Sequence, residues 1–314
     1  MQLPKNTKKR LTLLAKVLVL ALVVWFVRGT LVNAWRELGQ HEWTLRPWWL
    51  LAACGFYLLG LLPAGLFWWR LLRVCGQQAR LGETLRAYYI GHLGKYVPGK
   101  AMVVVLRAGL IHGHRVDPGI AAATVFAETL TMMAVGAGLA AAVLAVRARD
   151  AHELFFGAVG LAIASLAPTI PPVFRRLARL AGVGRSQPAV TENLQRLGYA
   201  TLLGGWLSML VVWGLLALSF WATIRALGVE NLGPMEHFTG YLAAVSLSMV
   251  AGFLSLIPGG LGVRDAILLK LTDRLLPLTA AEAALAAVML RLVWLVSELV
   301  ISGILYLCPF RNSE

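Results

Sequence analysis

Apolar runs of about twenty residues, long enough to cross the hydrocarbon core of a bilayer, recur along the chain between short polar stretches. The pattern predicts spans over about 11–27, 48–68, 119–146, 154–174, 199–224 and 283–307. Trp48-Trp49 and Trp68-Trp69 bracket the second and read as belts at the two membrane surfaces. Two further apolar stretches do not run clean. Residues 86–111 are punctured by Gly91, Gly94, Lys95, Pro98, Gly99, Lys100 and Arg107, and residues 238–271 contain the run from Pro258-Gly259-Gly260 through Gly262 to Arg264-Asp265. Proline removes a backbone donor and glycine relaxes the helical preference, so each stretch reads as a broken or re-entrant helix pair. Inside a bilayer such a break survives only where protein or a water-filled cavity satisfies the freed backbone groups.

The order span, span, break, span occurs twice, over 11–146 and 154–307. Three full crossings per half is an odd number, so the second half would lie inverted on the first, as in many secondary transporters. The arginine-rich loops following the second and fourth spans are expected on the cytoplasmic side, which puts both termini there too. The expected fold is all-α: one polytopic integral membrane helical bundle over 1–314, with six to eight spans and two Pro-Gly breaks.

Composition agrees with this and removes some alternatives. The chain is 59% hydrophobic with a mean hydropathy of +0.72, and 14% of it is charged, against about 25% in a soluble domain. The net charge of +14 sits in loops and segment ends, where it attracts anionic headgroups. No recognition module accompanies it, so nucleic acid is not the expected partner. Cys54, Cys75 and Cys308 share no ligand spacing, which argues against a disulfide framework or a zinc site. His112 and His114 flank one glycine with no third ligand in sight and read as solvated turn residues. No Walker loop, Ser-His-Asp set or zinc-protease helix is present; no cofactor, metal or enzymatic chemistry is expected.

Charges within apolar segments cost a few kcal/mol each and mark candidate sites. Glu128 stands alone in its span, with Arg107, Arg264 and Arg291 as the available partners from other elements. Its pattern fits a polar lining group and equally a buried ion pair that fixes helix register. A helix beginning near Leu261 would aim free N–H groups and a positive dipole end at an anion, with Arg264 adding a bidentate partner for phosphate. Asp265 would act as an N-terminal helix charge or hold Arg264 in place. Lys95, Lys100 and Arg107 give the first break a weaker form of the same character. Arg291 and Glu298, two turns apart, share one face of the last helix, directed inward.

The run Ile257-Pro-Gly-Gly-Leu-Gly-Val-Arg-Asp-Ala266 resembles the signature of the lysylphosphatidylglycerol synthase transmembrane-domain family, also described as flippase-like. The likeness continues in Tyr96-Val-Pro-Gly-Lys100 with Arg107, in Ala122-Ala-Thr-Val-Phe-Ala-Glu128, and in Arg291 followed by Ser302-Gly303. The resemblance implies a helical membrane bundle with re-entrant elements that moves lipids or lipid-linked precursors between leaflets. Members that make aminoacylated phosphatidylglycerol carry a further soluble transferase domain, which this chain, ending at Glu314, does not show; synthase activity is not expected. Two positions depart from the family: Asp265 stands where members often have Glu, and Thr129 where they often have Arg.

The expected function is therefore translocation of an anionic phospholipid or polyprenyl-linked lipid across a bacterial-type inner membrane. Two alternatives stay open at this stage. One is a non-transporting membrane partner of a lipid-modifying or glycosyl-transferring enzyme; the other is a small-solute secondary transporter.

Overall fold

A computed structural model of the chain describes residues 45–97, 101–111, 116–147, 152–180, 188–255, 260 and 262–307. The expected 11–27 span, and among the candidate site residues Pro98, Gly99, Lys100, Pro258 and Gly259, lie outside them, as do His112, His114 and Cys308. The described chain is an all-α bundle. In order it runs α1 (Pro47–Val74), α2 (Leu81–His92) with a short 3-10 turn (Leu93–Tyr96), α3 (Ala101–Ile111) and α4 (Pro118–Arg147). It continues through α5 (His152–Leu166), α6 (Pro171–Leu180), α7 (Pro188–Gln195), α8 (Tyr199–Ala226), α9 (Phe238–Leu254), α10 (Val263–Leu275) and α11 (Ala280–Leu307).

Among the described residues five segments are long and apolar enough to cross a membrane: α1, α4, His152–Thr169, α8 and α11. At 1.5 Å per residue the 28-residue helices reach about 42 Å. Their ends are set by local chemistry. Pro47 opens α1, where a missing N–H costs nothing. Asp117 Oδ1 accepts the Ile120 N–H at 2.9 Å to start α4. Thr279 and Glu282 cap α11 reciprocally: the Thr279 N–H donates to Glu282 Oε2 at 2.8 Å and the Glu282 N–H to Thr279 Oγ1 at 3.3 Å.

Both punctured stretches fold as antiparallel helix pairs. In the first, α2 packs on α3, with Gly94 against Val103 and Gly91 against Arg107. In the second, α9 packs on α10, with Gly240 against Leu275 and Gly252 against Arg264. None of these helices spans the roughly 30 Å apolar core alone, since 12, 11, 17 and 13 residues reach only about 16–26 Å. Helices α4 and α11 pack against both pairs.

The packing is reciprocal between the two halves. Helices α1 and α8 pack on each other along their length; α2 packs on α11 as α9 packs on α4; α3 packs on α4 as α10 packs on α11. Small residues permit the close central contact, with Gly60 set against Leu215 and Gly205 against Phe67.

Two expectations need correction. Trp68 is not in a surface belt: it is fully buried and donates its indole N–H to Thr124 Oγ1 at 3.1 Å, so a protein acceptor replaces interfacial water. Trp48, 81% exposed, does stand outside. The fourth span does not reach residue 174, because α5 ends at Leu166 and Pro171-Pro172 start a separate helix. That helix, α6, carries Val173, Leu177 and Leu180 on one exposed side and Arg175, Arg176 and Arg179 on the others, the pattern of an interfacial helix.

Candidate functional site

A cavity of about 170 Å³ lies between the two hairpins and is walled by α4 and α11. Its lining divides into two kinds. Val104, Phe126, Met133, Met249, Phe253 and Leu295 supply an apolar part, and Phe126, 49% exposed, borders both the cavity and the outer surface. Lys95, Arg107, Arg264 and Arg291 supply four cations, faced within the lining by a single carboxylate, Glu128.

Hairpin glycines make the room for two of these cations. A Cβ at Gly91 would overlap the Arg107 side chain, and one at Gly252 would come within 2.9 Å of Arg264 Cβ. Each arginine thus lies across the bare face of the preceding helix. The turn before α10 uses glycines for another reason: Gly260 and Gly262 have φ of 65° and 80°, a region other residues seldom adopt.

Three of the four cations are compensated. Arg107 Nη1 donates to Glu128 Oε2 at 2.8 Å, with both side chains 2% exposed. Tyr88 adds a hydroxyl bond to Glu128 Oε1 at 3.1 Å, and its ring centroid lies 3.8 Å from the guanidinium carbon. Thr129 Oγ1 donates to the same carboxylate at 3.2 Å. Of the three arginines available to Glu128, the fold selects Arg107, carried in by hairpin one. The Thr129 departure therefore leaves Glu128 with a cationic partner after all.

Lys95 pairs with Glu298 of α11, which also accepts the Tyr57 hydroxyl proton. Arg291 forms a two-pronged bridge to Asp265, at 2.5 Å from Nε to Oδ1 and 2.7 Å from Nη2 to Oδ2. Asp265 also accepts the Gly262 N–H at 3.3 Å, as expected of an N-terminal helix charge. It does not hold Arg264, which corrects the other expected role. The helix itself begins at Val263, with Gly262 as its N-cap.

Arg264 remains. It is 9% exposed, lies 4.6 Å from the Trp294 ring centroid, and its Nε has no hydrogen-bond partner among the described residues. No carboxylate pairs with it among those residues. A buried guanidinium without a counter-ion is costly unless an anion completes it.

The cavity brings together Gly260, Arg264, Lys95, Arg107, Glu128 and Arg291 of the expected site residues. Gly262 and Asp265 stand behind it as the helix start and the Arg291 anchor. Sequence reasoning did not place Tyr88 and His92 in the lining, nor Glu298 as the partner of Lys95. The available signal was the i, i+4, i+7 stripe Tyr88, His92, Lys95, which puts three polar groups on one side of a short helix.

The sequence model of one family, described as the lysylphosphatidylglycerol synthase TM region, matches residues 13–301. No curated protein matches the chain.

Proposed function

Because the chain belongs to the lysylphosphatidylglycerol synthase TM-region family, we propose that this integral membrane protein, related to lipid handling, carries an anionic headgroup between leaflets. The cargo in this reading is a phospholipid or a polyprenyl-linked precursor, and the cavity between the hairpins receives its phosphate. The observation that carries the reading is Arg264, buried in the lining without a carboxylate among the described residues. A phosphate oxygen beside it would supply the missing counter-charge. The apolar lining and the position of Phe126 suit a cargo whose tails stay in lipid while the headgroup crosses a polar interior, which lowers the desolvation cost of its charge.

The reciprocal packing of the halves supports reading them as inverted repeats that rock about the α1–α8 contact, each hairpin facing one leaflet in turn. In this reading the protein moves its cargo without altering it, from an inner membrane with both termini in the cytoplasm.

The test is transbilayer movement of a fluorescent anionic phospholipid in vesicles containing the purified chain, with zwitterionic phosphatidylcholine beside it. Arg264→Gln should slow anionic movement about tenfold or more, since a hydrogen bond to a charged group contributes roughly 1.5–3 kcal/mol. Movement no faster than in protein-free vesicles, or equal in the wild type and Arg264→Gln, would refute the reading.

A further inference from the structure

Between the two ion pairs of hairpin one lies a histidine that touches one member of each. His92, the last residue of α2, lines the cavity with its side chain 13% exposed. Its Nδ1 stands 3.1 Å from Arg107 Nη2, and its Nε2 stands 3.8 Å from Glu298 Oε1. A guanidinium has only donors, so the Nδ1 in this contact carries a lone pair and accepts. The ring is then neutral, with its one proton on Nε2, facing a carboxylate. The other charged and titratable groups around it are Tyr88 on its own helix, stacked at 6.0 Å, Lys95 in the following turn, and Glu128 on α4 behind Arg107. Arg264 and Arg291 line the same cavity from α10 and α11.

We propose that His92 is a proton-binding site coupled to anion binding in this cavity. The inference rests on the headgroup reading above and adds the ion that accompanies the headgroup. Among the described residues the site holds four cations, Lys95, Arg107, Arg264 and Arg291, against three carboxylates, Glu128, Asp265 and Glu298. With neutral His92 it lacks one negative charge. A proton taken up from the buffered solution and placed on Nδ1 breaks the contact with Arg107 and sets a second positive charge beside it. Arg107 stays on Glu128 and Tyr88, and the imidazolium is stabilised by Glu298 on one side and by an entering anion on the other. Proton and anion therefore each favour the other's binding, and by linkage the coupling is reciprocal. A monoanionic diester completes the site without the proton. A doubly charged monoester completes it with the proton, and either anion binds more tightly to the protonated form.

The test uses the full chain in detergent and a short-chain phosphatidylglycerol, whose diester charge does not change across the histidine range of about pH 5 to 8. Affinity should fall by up to about tenfold per pH unit above the His92 midpoint, the limit for one linked proton. Calorimetry in two buffers of different ionisation heat should count a net proton uptake on binding, largest between the anion-free and anion-bound midpoints of His92. His92→Gln, which keeps an acceptor for Arg107, should bind with a flat profile and no uptake. Glu298→Gln, which removes the carboxylate facing Nε2, should move the midpoint to lower pH. A flat wild-type profile, or a His92→Gln profile as steep as wild type, overturns the proposal. Absence of binding at every pH overturns the headgroup reading and this inference with it. A pH-dependent affinity in a chain that moves no lipid supports the coupling and refutes translocation alone.

Discussion

The two hairpins are built alike and charged differently. In each, a glycine of the first helix seats an arginine of the second: Gly91 with Arg107, Gly252 with Arg264. In each, the long helix packed on the second arm answers with a charge, Glu128 from α4 and Arg291 from α11. The sign of that answer is what differs. Hairpin one offers a cation and α4 a carboxylate, so Arg107 is consumed. Hairpin two offers both Arg264 and Asp265, and α11 brings an arginine, so Asp265 is consumed and Arg264 is left over among the described residues. One framework thus yields a closed ion pair on one side and an open cation on the other. A buried pair fixes geometry, whereas a buried cation without a partner invites a ligand.

The sharpest way to break this comparison is to unpair hairpin one. Glu128→Gln leaves Arg107 buried without its counter-charge and should cost about 3–5 kcal/mol, read as a large drop in the thermal midpoint in detergent. Arg264→Gln, removing a cation that has no carboxylate to abandon among the described residues, should leave the midpoint unchanged or raise it while lowering anion affinity. If the two variants lose equal stability, the division into a structural and a ligand-facing arginine fails.

A smaller effect tests the seats. Gly91→Ala forces a methyl into Arg107 and should cost about 1–3 kcal/mol, with Gly252→Ala less severe because its nearest contact is 2.9 Å away. Gly138, with nothing within 4 Å of a Cβ, is the control. Its replacement by alanine should be neutral or stabilise the helix by up to about 1 kcal/mol. The reverse order of Gly91 and Gly252 would mean that hairpin two is the more tightly held.

The smallest effect comes from Asp265, whose side chain is 34% exposed. Asp265→Asn weakens the start of α10 by about 0.3–1 kcal/mol and frees Arg291. Binding of short-chain phosphatidylglycerol should tighten a few-fold, since the cavity then holds two open cations, Arg264 of hairpin two and Arg291 of α11. Weaker binding would show that Arg291 needs Asp265 to keep the cavity in shape.

Much of this was readable from the chain. The long apolar runs placed α1, α4, α8 and α11 to within a few residues, and Pro and Gly located both hairpins, because each acts through local backbone chemistry. What misled was exposure. Trp68 and Trp48 are the same residue type at the two ends of one helix, yet only Trp48 meets the outside, and Thr124 from α4 decides the matter. The reach of the fourth span failed for the opposite reason: the apolar run continues to about residue 174, but Pro171-Pro172 opens a separate helix.

The charges show where local information ends. The sequence by itself determined a helical membrane protein with two broken elements and a short roll of intramembrane ionisable residues, since hydropathy, proline and glycine act over one or two turns. Partner choice was decided only by tertiary structure. Glu128 had three arginines open to it, and Asp265 lies next to Arg264 in sequence yet bonds Arg291, 26 positions away. Adjacent residues on a helix point about 100° apart, so neighbours in sequence need not meet, while helices packed at 8–10 Å bring distant ones together. The open cation at Arg264 is a remainder of that pairing, visible only once the other cations of the cavity, Lys95, Arg107 and Arg291, have met their carboxylates among the described residues.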